Sequence, residues 1–157
     1  MKTVLMAIIL LTKPVFKKEY PALSELRRLF NIATVQRDSC NKFSALLSQI
    51  DSNSQPLYIC YKGVSNMIQA KYAVNPVVKY SLFNKGKVLI ETAIKTDTNN
   101  IEMRYLRLSV QNNLPLLLGY SKNIEPDKSF LRDNIKNEND TELKELITNY
   151  LLSLNNF

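Results

Sequence analysis

Apolar residues recur along most of this chain with a period close to that of an α-helix. Leu23, Leu26, Leu29, Phe30 and Ala33 mark a first amphipathic stretch after Pro21. Phe43, Leu46, Leu47 and Ile50 mark a second, with Asp38 or Ser39 as its N-cap. Pro56 opens a third at the first-turn position, where its missing N–H has no intrahelical partner to lose. Leu57, Cys60, Tyr61, Val64, Met67, Ile68 and Tyr72 line one face of that helix.

Asn75-Pro76 breaks the chain, because the residue before a proline is pushed out of the α region. A fourth helix then places Leu82, Gly86, Leu89 and Ala93 on one stripe, flanked by Phe83, Ile90 and Ile94, with Lys87, Glu91 and Lys95 opposite. After the turn at 97–100, a fifth carries Ile101, Tyr105 and Leu108, widened by Met103, Leu106 and Val110. The apolar stretch 114–120, with Pro115 and Gly119, reads as a packed loop. A sixth helix starts near Pro126 and buries Phe130, Leu131 and Ile135. A polar linker at 137–140 precedes a seventh, capped by Asp140, through Leu143, Leu146, Ile147, Tyr150, Leu151 and Leu154.

The expected fold is therefore all-α: antiparallel helical hairpins forming a repeat-like bundle or a short α-solenoid of about seven helices. Only three glycines, Gly63, Gly86 and Gly119, are present, too few for the turns of a β-rich fold. The start of the chain reads differently. Lys2 followed by an apolar run at 4–11 has the grammar of a secretory signal, although no small-residue cleavage site follows it; a core-facing first helix is the alternative. The run is too short to span a bilayer, which takes about 20 apolar residues. The expectation is a signal segment over 1–16, a single all-α domain over 17–157, and a periplasmic or secreted location, with the cytoplasm as the alternative.

Composition narrows the chemistry. The chain has 157 residues and no histidine, so His-based triads, His-ligated metals and imidazole acid–base catalysis are excluded. Cys40 and Cys60 lie on apolar helical faces without CxxC spacing; they either pair in an exported protein or stay as lone buried thiols. No phosphate-binding glycine loop, GxSxG or HExxH motif occurs, and neither a catalytic site nor a cofactor is expected. The net charge of +7 suits acidic partners, but the lysines are scattered and no RRM, KH or recognition-helix motif appears, so nucleic acid is not the expected partner.

The segment from Gly86 through Ile90 and Ala93 to the turn at 97–100 resembles the second helix and closing turn of a tetratricopeptide repeat, with Thr98 where that family has proline. Gly63 lies further upstream of Gly86 than the family's spacing allows. The resemblance implies stacked helical hairpins and a concave surface for a protein or peptide. Gly86 and Ala93 also carry a physical meaning of their own: small residues let another helix approach closely. A looser likeness, through Asn75-Pro76, 80–86, 102–108 and 118–120, is to uncharacterised, predicted-exported bacterial proteins of similar length.

Arg104, Arg107 and Gln111 form the most specific polar pattern, one stripe at i, i+3 and i+7 of the fifth helix. Two fixed guanidinium groups on such a stripe can hold a carboxylate or phosphate of a partner. The competing reading is a solvated face, or an internal pair of Arg104 with Glu102 or Glu91. Tyr58, Tyr61, Tyr72 and Tyr80 offer either an aromatic contact surface or core rim. The resulting expectation is a non-catalytic module that binds a protein or peptide; the alternative is a small-molecule or lipid-binding bundle, whose sign is a closed apolar cavity.

Overall fold

The periodic stretches become helices α1 (Leu23–Ala33), α2 (Arg37–Leu46), α3 (Pro56–Tyr72), α4 (Pro76–Thr96), α5 (Ile101–Asn112), α6 (Ile124–Asn134) and α7 (Thr141–Ser153). Short 3-10 turns at Leu116–Leu118 and Ile135–Asn137 flank α6. The computed structural model describes residues 19–154, so the export signal expected over 1–16 lies outside the described residues. Among the described residues there is no strand, and no helix is long and apolar enough to cross a membrane.

Several boundaries follow from single residues. Asn75 caps α4, its Oδ1 accepting from the Val77 amide at 2.8 Å, and Pro76 takes the first helical position. The break at Asn75-Pro76 is thus a tight corner, and α4 extends back to the proline. Asn100 caps α5 by accepting from the Met103 amide at 3.0 Å, and Asp140 caps α7 by accepting from the Leu143 amide at 3.1 Å. The expected N-cap of α2 is corrected: Gln36 occupies that position, and the Ser39 hydroxyl donates to its side chain. α2 also ends at Leu46, which is exposed, while Leu47 and Ile50 are buried in the turn beyond it.

Antiparallel pairing of α3 and α4 is the most extensive helix contact, and two glycines set its separation. A Cβ on Gly63 would stand 2.8 Å from the Gly86 carbonyl oxygen, and one on Gly86 would stand 2.6 Å from the Gly63 carbonyl oxygen. The helices touch backbone to backbone, so neither position has room for a methyl group. The expectation of close approach at Gly86 holds, with Gly63 as its counterpart.

α5 is the central helix. Met103 and every residue from Tyr105 to Gln111 are buried, so α5 has no solvated side along that run. Leu26 and Leu29 of α1, Phe43 of α2, Tyr61 and Val64 of α3, Ile90 of α4, Leu131 of α6 and Ile147 of α7 join the same continuous core. The expectation of a packed loop at 114–120 needs correction: Leu116 and Leu117 are exposed, and only Tyr120 is fully inside.

Candidate functional site: two closed ion networks and an open apolar groove

The arginine stripe of α5 meets internal carboxylates. Arg107, only 3 % exposed, donates from Nε and Nη2 to the two oxygens of Asp127 on α6, both at 2.7 Å, and from Nη1 to Glu91 on α4 at 2.9 Å. Asp127 is fully buried, and it also accepts from Arg104 Nη1 at 3.0 Å. The remaining Arg104 nitrogens donate to the Thr98 carbonyl, and its guanidinium lies over the Phe130 ring. Tyr120 donates to the second oxygen of Glu91 at 2.7 Å. Burial, reinforced by Glu91, pushes the Tyr120 phenol well above its ordinary pKa.

A second network joins α5 to three other elements. Arg27 of α1 donates to both oxygens of Glu102 on α5, at 2.8 and 2.9 Å, and reaches Asp140 and Glu142 at the start of α7 at 2.9 Å each. Tyr61 of α3 donates its hydroxyl to the same Glu102 carboxylate. The Glu102 hydrogen bonds hold the Arg27 guanidinium above its usual pKa, and burial pushes the Tyr61 phenol up. A charge taken from water needs this kind of partnering: breaking one member of a buried pair costs about 3–5 kcal/mol. Both networks are closed on themselves.

The structure therefore brings Arg104 and Arg107 together as their spacing requires, but turned onto α6 rather than toward a partner. Arg104 pairs with Asp127, not with Glu102 or Glu91. Gln111 is buried as well, its amide nitrogen 3.5 Å from the Asn123 side-chain oxygen. Glu91, expected on a solvated face beside Lys95, belongs to the internal set. Of the tyrosines, Tyr58 and Tyr72 donate to the carbonyls of Pro21 and Ala33, and Tyr80 is the exposed one.

The open feature of the molecule lies elsewhere. A half-enclosed cavity of about 750 Å³ runs between the C-terminal ends of α1, α3 and α5, the start of α4 and the segment after α5. Phe30, Met67, Ile68, Phe83, Val110 and Leu114 supply its apolar surface. Among the described residues, Lys71 and Lys79 are the only charged side chains in its lining, and no carboxylate reaches it. α3 also fixes the wall made by α1: Lys71 Nζ donates to the Thr34 carbonyl at 2.7 Å and Tyr72 to the Ala33 carbonyl at 3.0 Å, satisfying acceptors that a helix end leaves open.

Two apolar lips adjoin the cavity, each made of exposed residues next in sequence to lining residues. One is the first turn and a half of α4, where Tyr80 lines the cavity and Val77, next to the lining residue Pro76, is 75 % exposed. The other is the 3-10 turn, where Leu117 is 88 % exposed beside Leu116. Sequence reasoning missed this groove because it assigned apolar residues to the core. Its one available signal was the run Val74, Val77, Val78 and Tyr80, which lies ahead of the apolar stripe read for α4.

Nucleophilic chemistry has little to work with among the described residues. Cys40 and Cys60 are free and buried, and burial raises the pKa of both thiols. No group of three or more Cys, Asp or Glu side chains among the described residues is disposed to hold a metal ion. No family model matches the chain, and neither the curated proteins nor the solved structures provide a match.

Proposed function

We propose that this protein is a non-catalytic binding module that receives part of a protein or peptide partner in the groove between α1, α3, α4 and α5. The observation that carries this reading is the pair of exposed lips. A small ligand held in the cavity would leave Val77, Leu116 and Leu117 in water, whereas a macromolecular partner covers them together with the cavity. The groove differs from the arginine stripe first considered, because those guanidinium groups already have internal partners.

A photo-crosslinking residue at Leu117 tests the reading in cells that make the protein. One discrete adduct is expected there, and none from the same group at Glu145 on α7, which contributes nothing to the groove. The adduct should vanish when the opposite lip carries Val77→Asp and Tyr80→Ser. An equal adduct at Glu145, or one that survives the lip substitutions, contradicts groove docking.

A small amphiphile is the second reading. Its support is the cavity itself, which lies within the roughly 300–1,000 Å³ range of ligand pockets and has lysines at its margin.

A further inference from the structure

We propose that the partner segment occupying the groove is an amphipathic α-helix whose flanks are acidic. The proposal rests on the docking reading above and adds the conformation and charge of the occupant.

Conformation follows from what the groove lacks. Most of its lining residues lie on α1, α3, α4 and α5, and the surface they present is mainly apolar side chain. No strand edge exists among the described residues, so an extended peptide has no backbone ladder to join. An extended chain pressed against Phe30, Ile68 and Phe83 would bury unpaired N–H and C=O groups, each a substantial cost. A helix satisfies these groups internally and presents apolar side chains at i, i+3 or i+4, and i+7.

Charge follows from the lining. Lys71 and Lys79 stand on either side of the corner between α3 and α4, with no carboxylate among the described residues of the lining to neutralise them. Lys71 already donates to the Thr34 carbonyl, while Lys79 lies exposed on α4. A carboxylate on the flank of a docked helix completes the charge of both, and a lysine there meets repulsion.

The test uses labelled peptides of about 16 residues, roughly four turns, with a leucine stripe and either glutamate or lysine flanks. Fluorescence anisotropy with the purified protein at low salt gives their affinities. The glutamate peptide should bind about fivefold or more tightly than the lysine peptide, and Lys79→Glu should erase or reverse that preference. Lys79 is the variant of choice because its removal leaves the Lys71–Thr34 contact intact.

Equal binding of both peptides would overturn the acidic preference while leaving groove docking in place. If neither peptide binds but the Leu117 adduct persists, the helical occupant is wrong. Failure of both experiments removes the docking reading itself. Stoichiometric binding of a long-chain carboxylate, with the peptides inert, would refute the helix in favour of the small amphiphile.

Discussion

The backbone contact between Gly63 and Gly86 makes a prediction that opposes ordinary helix propensity. Both residues lie well inside helices, where replacing glycine by alanine gains about 0.8–1 kcal/mol if nothing else changes. At Gly86 the new methyl would stand 2.6 Å from the Gly63 carbonyl oxygen, which is backbone, and 2.6 Å from Met67 Cγ, which can rotate away. The carbonyl decides the outcome. Relieving it moves α3 and α4 apart along their largest shared surface and loosens Val64, Met67 and Ile90 around the crossing.

Overpacking of this kind costs about 1–3 kcal/mol before the gain in propensity is subtracted. Gly86→Ala should therefore lose up to a net ~2 kcal/mol, a shift of up to several degrees in Tm for a domain of this size. Urea unfolding followed by circular dichroism measures it. Thr92→Ala, at an exposed position on α4, is the propensity control and should gain a few tenths of a kcal/mol. The double variant Gly63→Ala/Gly86→Ala should cost less than the two singles together, because the first separation makes room for the second methyl. Stability equal to or above wild type in Gly86→Ala would refute the close crossing.

Three further outcomes are expected. Asp127→Ala leaves Arg107 buried against Glu91 alone and should lose about 3–5 kcal/mol in urea unfolding; a loss under about 1 kcal/mol would mean that water reaches the site. Asp140 is held below its ordinary value of 3.8, chiefly by the Leu143 amide it caps and further by Arg27. Its contribution is thus present above that value and fades as pH falls through the lower folded-state value, so the stability difference between wild type and Asp140→Asn should shrink below about pH 4. That difference should be modest, about 0.5 kcal/mol at neutral pH, because the group is partly exposed. Gly119 has φ +60° with open space around its missing Cβ, so Gly119→Ala should cost about 1 kcal/mol through conformation alone, and Gly119→Asn less.

The helices were legible because their signals are local. Pro56, Asn75-Pro76, Asn100 and Asp140 mark helix starts within a few residues of themselves, and the apolar stripes decide which side faces inward. The orientation of α5 was not legible in this way. Arg104, Arg107 and Gln111 read as a polar stripe, yet Arg107, like Glu102, is buried against partners from far along the chain: Arg27, 75 positions from Glu102, and Asp127, 20 positions from Arg107. Periodicity contains no information about such pairings. The groove was hidden for the opposite reason, since Val77 and Leu117 have the composition of core residues and only the packing shows that no other described residue covers them.

These two failures of local reading are connected through charge. The internal networks engage Glu91, Glu102, Asp127, Asp140 and Glu142 against three arginines, Arg27, Arg104 and Arg107. Five carboxylates face three arginines, so the networks carry a net negative charge and the rest of the chain is more positive than the formal +7 of the whole. Lys71 and Lys79 belong to that remainder and border the groove, and among the described residues no acidic side chain joins them in its lining. Salt separates the two sets of interactions. Exposed charges are screened over about 8–10 Å at physiological ionic strength, while buried pairs are screened much less. Added salt should weaken an acidic partner in the groove long before it loosens Arg107 from Asp127, so the acidic partner should be lost from a protein that remains folded.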